Sequence, residues 1–61
     1  MNNCIFERED SWDLYAYIED QNTNVYVNFK TLAAALVYVG VKGLDRIEVI
    51  FSNKTRMEVY L

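Results

Sequence analysis

Hydrophobic and polar positions alternate through most of this chain. From Trp12 to Glu19, Trp12, Leu14, Ala16 and Ile18 fall on one face, and Asp13, Tyr15, Tyr17 and Glu19 on the other. A period of two with aromatic and branched residues predicts a strand. Asp20-Gln21-Asn22-Thr23-Asn24 is a run of turn formers. Val25 to Lys30 alternates again, with Val25, Val27 and Phe29 inward, so residues 12–30 read as an antiparallel hairpin. The first eleven residues hold only Ile5 and Phe6 as a greasy core, a pattern that fits a short edge strand or a docked arm.

The period then changes. Thr31 can cap a helix whose first turn is Leu32-Ala33-Ala34-Ala35, since alanine and leucine favour that state and a threonine hydroxyl can accept from a first-turn N–H. Leu32, Leu36 and Val39 share one face, and Gly40 is the expected stop, with Gly43 a second option. The predicted helix covers residues 31–40. No charge occurs from Leu32 to Val41, whereas a surface helix ordinarily carries one polar side. A helix greasy all round is expected to be covered twice, by its own sheet and by something else.

A second hairpin spans residues 45–61. Ile47, Val49 and Phe51 alternate with Arg46, Glu48, Ile50 and Ser52, and Met57, Val59 and Leu61 continue an inward face. A two-residue turn would set Phe51 opposite Arg56. A three-residue loop, Asn53-Lys54-Thr55, instead pairs Phe51 with Met57, Val49 with Val59 and Ile47 with Leu61, which keeps each face uniform. Lys54 or Thr55 must then take a left-handed conformation. The expected fold is a single α+β domain over 1–61, one short helix on a small antiparallel sheet in the order β-β-α-β-β, forming a dimer.

Composition narrows the chemistry. Sixty-one residues with no histidine and one cysteine exclude an internal disulfide, a Ser-His-Asp or Cys-His centre, and the usual zinc ligand set. The two glycines follow the helix, so no phosphate cradle precedes one. An enzyme is not expected, nor a metal or other cofactor. Met1 to Phe6 lacks a basic start and a long apolar run, and no stretch approaches the ~20 apolar residues of a membrane span. A soluble, cytoplasmic protein with no membrane partner is the expectation.

Net charge is −3 and unevenly spread: residues 1–20 carry six acids against Arg8, while residues 21–61 carry three acids against five bases. An acidic chain is a poor direct ligand for nucleic acid, but an acidic front can steer a basic protein surface. The nine aromatic residues are a heavy load for this length. Tyr15, Tyr17, Tyr26 and Tyr60, with Ile50, fall opposite the inward residues. They are either half-exposed strand tyrosines or a protein-contact face. Trp12 is assigned to the core.

Trp12-Asp13, the Glu19-Asp20 turn, Tyr26, the helix end from Tyr38 to Gly40 and Asp45-Arg46-Ile47 together resemble the small uracil-DNA glycosylase inhibitors of phi29-like Bacillus phages. The resemblance covers about residues 12–51. It implies a dimeric inhibitor acting in the host cytoplasm, which occupies the enzyme's DNA-binding cleft as a protein mimic of DNA. An apolar pocket would grip the side chain that the enzyme wedges into the duplex. Carried over, Tyr38 matches the tyrosine near the helix end, with Val39 intervening before Gly40; Tyr26 matches a second-strand tyrosine. Glu19 and Asp20 match the acidic turn, and Asn28 stands where the family has a glutamate. Leu36, Val37 and Tyr38 are the candidate pocket walls. The rival readings are another small viral antagonist, of a CRISPR effector or RNA polymerase, and a dimeric structural or assembly subunit.

Overall fold

The computed structural model describes residues 3–61. Five strands and one α-helix follow in the order β1 (Cys4–Glu7), β2 (Trp12–Ile18), β3 (Thr23–Phe29), α1 (Leu32–Val41), β4 (Arg46–Ile50) and β5 (Arg56–Tyr60). They form one mixed sheet in the spatial order β3-β2-β1-β4-β5. The class is α+β as expected, but the sheet is mixed where an antiparallel one was expected, because β1 runs parallel to β4, and the order is β-β-β-α-β-β.

The largest correction concerns the N-terminal segment. It is neither an arm nor an edge but the central strand, antiparallel to β2 and parallel to β4. Ile5 lies between Leu14 and Val49 in register, and all three are fully buried. A four-residue strand has too few positions to show a period, which is why the pattern left it open. Its charged successor, Arg8-Glu9-Asp10-Ser11, is the turn into β2, closed by the Arg8 N–H donating to the Ser11 carbonyl at 2.8 Å. Asn3 ties both neighbours: its side chain accepts from the Tyr17 N–H, and its carbonyl from the Glu48 N–H.

The first predicted hairpin is present, with Tyr15 opposite Tyr26 and Leu14 opposite Val27. Its turn is a short 3-10 segment, Glu19–Gln21, ended by Asn22 in the left-handed region at φ 48°. Asparagine tolerates that conformation better than most residues.

Thr31 caps α1 as predicted, its hydroxyl accepting from the Ala34 N–H at 3.1 Å. The stop is Gly43 and not Gly40. Gly40 lies within the helix, whereas Gly43 has φ 81°. The Gly43 N–H donates to the Gly40 carbonyl and the Leu44 N–H to the Val39 carbonyl, each near 3 Å, the paired bonds of a Schellman end. Leu44 then folds back onto the core. Ala35 and Val39 are fully buried, seating α1 in a cluster with Ile5, Leu14, Ala16, Ile18, Ile47 and Val49. Trp12 and Phe51, edge-on at 6.1 Å, pack against this cluster.

The second hairpin keeps the predicted faces but not the predicted partners. Val49 pairs with Met57 and Ile47 with Val59, two residues away from the expected register. The three-residue loop is Ser52-Asn53-Lys54, and Lys54 takes the left-handed position at φ 76°. Shifting by two preserves which side each residue faces, so patterning alone cannot separate the two registers. Within the loop, the Asn53 carboxamide accepts from both the N–H and the hydroxyl of Thr55. Met57 and Leu61, expected inward, are 43% and 52% exposed.

Gly43→Ala should destabilise the fold by about 1–2 kcal/mol, because a Cβ there meets no neighbour but opposes the left-handed backbone. Gly40→Ala should stabilise by about 0.5–1 kcal/mol, the helix-propensity difference, since space is open there too. Urea unfolding midpoints of the two variants, moving in opposite directions, check the assignment of the helix stop.

Candidate functional site

The sheet has one helix, so it has one open face. Across that face the register aligns Tyr26, Tyr15, Cys4, Glu48 and Glu58 in one row, and Asn28, Asp13, Phe6, Ile50 and Arg56 in the next. The β3-β2-β1 side carries an aromatic ladder. Tyr15 and Tyr26 lie 4.7 Å apart between centroids, and Phe6 meets Tyr15 edge-on at 5.6 Å. The β4-β5 side is charged and internally paired, with Arg56 on Glu48 at 3.3 Å and Arg46 on Glu58 at 3.5 Å. Tyr60, whose hydroxyl donates to Glu58, stands in this charged half. The four outward tyrosines therefore do not form one patch: Tyr15 and Tyr26 cluster with Phe6, and Tyr60 stands apart with Glu58.

Asp13 is the buried anion of the face. Its carboxylate accepts from the Asn28 amide and from Arg8 Nε, each at 2.6 Å. These bonds, Asn28 first and Arg8 second, hold its pKa below the usual carboxylate value. Cys4, also buried, points its thiol toward Glu48 Oε1 at 3.8 Å. Burial first, and then the nearby Glu48 charge, push that thiol up, the opposite of what a reactive thiolate needs.

The other surface is the outer side of α1. Ala33, Ala34, Val37, Gly40 and Val41 are all exposed, Val37 at 66% and Val41 at 78%, with no charged residue among them. Beyond the C-terminal end of the helix, Glu19, Asp20 and Asp45 line a cleft of about 510 Å³ together with Asn3, Tyr17, Ile18 and Lys42–Leu44. The three acids thus gather at the turn that follows the helix, and no residue of the uncharged stripe lines that cleft.

The residues singled out from sequence fall in three places. Glu19 and Asp20 are exposed on the acidic rim. Tyr26 and Asn28 are on the open sheet face, Asn28 held by Asp13 and Ser11. Leu36, Val37 and Tyr38 are on α1, on the opposite side of the sheet. Leu36 is half-buried against the core, Val37 is exposed, and Tyr38 tilts against Phe29 at 5.4 Å with the Lys42 ammonium over its ring. The acidic rim therefore adjoins the turn after the helix, and neither Val37 nor Tyr26 lines it. Sequence reasoning missed Phe6, whose strand was too short to place, and Asp45, which sits far in sequence from the turn it joins. Among the described residues, no three His, Cys, Asp or Glu side chains are grouped to hold a metal ion, and no helix is long and apolar enough to cross a membrane.

No family model matches the chain, and neither the curated proteins nor the solved structures compared with it yield a match.

Because the folded state lowers the Asp13 pKa, its contribution is present above the unfolded value of about 3.9 and is lost as pH falls through the lower folded value. Thermal midpoints measured from neutral pH down into the acid range should therefore fall below about pH 4. Asp13→Asn should lower the midpoint at neutral pH and flatten that acid dependence; an unchanged slope would assign it to other carboxylates.

Proposed function

We propose that this chain is a protein inhibitor of the phage type, directed at a host DNA-processing enzyme, with uracil-DNA glycosylase as the first target. The observation that carries the reading is that one chain pairs an exposed, uncharged stripe on α1 with a cleft of Glu19, Asp20 and Asp45 at the turn after that helix. A DNA-binding cleft is basic, because it must meet phosphates. An acidic rim suits such a cleft and speeds encounter more than it deepens final affinity. The apolar stripe supplies what charge alone cannot, a water-excluding contact for a greasy side chain. Val37 and Val41, the most exposed large residues of the helix, are its natural centre. A homodimer that set two such stripes together would turn a convex ridge into a pocket, as the resemblance to the glycosylase inhibitors implies.

The Phe6–Tyr15–Tyr26 ladder argues less well for a nucleic-acid platform. Stacking surfaces of that kind are flanked by free lysine and arginine. Here Arg8, Arg46 and Arg56 are each engaged by a carboxylate on the same face, leaving the phosphate chain little to meet.

Titrating the protein into uracil-DNA glycosylase acting on a uracil-containing oligonucleotide should remove activity stoichiometrically. Val37→Lys, at an exposed position, should leave the fold intact and weaken inhibition by about tenfold or more. Asp20→Lys should mainly slow association, with the deficit shrinking as salt is raised. Full glycosylase activity in the presence of several-fold excess inhibitor would reject this target.

A further inference from the structure

The two edges of the sheet are built differently. β5 carries Arg56 and Glu58 on its exposed side, the sort of charge that discourages another strand from adding. β3 carries none. Its seven residues, Thr23-Asn24-Val25-Tyr26-Val27-Asn28-Phe29, contain no charge, no proline and no glycine. Their pairing with β2 runs unbroken through all seven positions, without a bulge. A regular, uncharged edge of this length presents a row of backbone donors and acceptors.

The sequence of that edge also reads nearly the same in both directions about Tyr26: Asn-Val-Tyr-Val-Asn. Antiparallel pairing with an identical strand, on a two-fold axis at Tyr26, would oppose Tyr26 to Tyr26 of the second copy. It would likewise oppose Val25 to Val27 of the second copy, and Asn24 to Asn28 of the second copy. Valines meet valines on the helix side, and asparagines and tyrosines meet their own kind on the open side. The ends are complementary as well. Lys30, just past β3, would come beside the Glu19–Asn22 turn of the other copy, where Glu19 and Asp20 are exposed.

We propose that β3 is a self-association edge, and that a second copy of this chain pairs with it antiparallel about Tyr26 to give a continuous ten-stranded sheet. The helix position supports this occupant over an unrelated strand. α1 packs on β3 and β2, so with strands about 4.8 Å apart its axis lies about 4.8 Å from the two-fold. Two copies of α1 would then run roughly 10 Å apart, at the spacing of packed helices. The flank of α1 that carries Tyr38, against Phe29 of β3, is the side nearest the seam. Strand pairing and helix contact would thus close together in one isologous interface. This deepens the homodimer of the inhibitory reading by naming its surface, and rests on that reading only for the presence of a second copy.

Sedimentation of the full chain at about 10–100 µM should give twice the 7.2 kDa chain mass. Tyr26→Lys and Tyr26→Glu should each raise the dissociation constant by about tenfold or more, since like charges then oppose across the axis. An equimolar mixture of the two variants should restore the dimer, a result that general destabilisation cannot produce. Hydrogen exchange of the unaltered chain needs no variant: alternate β3 amides should slow on going from dilute to concentrated protein. A monomer throughout the range, or a dimer indifferent to both Tyr26 changes with β3 exchange independent of concentration, would overturn the inference. A dimer that does not inhibit the glycosylase would reject the target alone, and a monomer that inhibits it would reject the edge pairing alone.

Discussion

One helix has to serve five strands, and that mismatch shapes the whole molecule. A helix is about 10 Å across with its side chains, while four strand spacings make the sheet about 19 Å wide. Lying on β3 and β2, the helix packs Ala35 and Val39 into one cluster with Ile5, Leu14 and Val49, which are sealed completely. It cannot also reach the β5 edge, where Met57 and Leu61 stay wet. The opposite face receives no helix at all. The structure's remaining features are responses to that shortage of cover.

On the bare face the response is polar pairing. Asp13 would be a liability if left alone, but Arg8 and Asn28 satisfy both of its oxygens. Its folded-state charge is therefore favoured and not merely tolerated. Farther across, Arg56 and Arg46 neutralise Glu48 and Glu58; these exposed pairs add little stability but keep the face from acquiring a strong field of either sign. The rings of Phe6, Tyr15 and Tyr26 shelter one another by edge and tilted contacts worth about 0.5–1.5 kcal/mol per pair. A face resolved in this way is soluble without being empty of contact area.

What the sequence made legible follows from the length of each periodic run. β2 and β3, seven residues each, declared their faces and partners, and the Thr31 cap and the uncharged helix were equally plain. β1, with four residues, shows no period, and its central position follows only from the tertiary demand that Ile5 fill the gap between Leu14 and Val49. The β4-β5 register failed by two because alternation constrains parity and not position. The observed register is accompanied by contacts that alternation does not encode, the left-handed Lys54 and the Arg56–Glu48 and Arg46–Glu58 pairs among them. For the candidate site, the helix stripe and acidic turn were readable, yet the meeting of that turn with Asp45 was not, since it depends on how the Gly43 turn delivers β4.

The total surface is instructive about where an interaction should be sought. A folded monomer of this mass exposes roughly 4,100 Å² by the usual scaling, and this chain exposes 4275 Å². The protomer is therefore no more open than other small domains, and a simple excess of exposed area does not argue for a partner. The distribution does. Charge is abundant on β5 and in the β1-β2 turn, where it is paired or solvated, and absent from two adjoining places: the outer side of α1 and the β3 strand beneath it. Their adjacency means that one contact made along β3 brings the helix with it, so an edge too narrow to hold a partner alone gains an apolar flank at the same step.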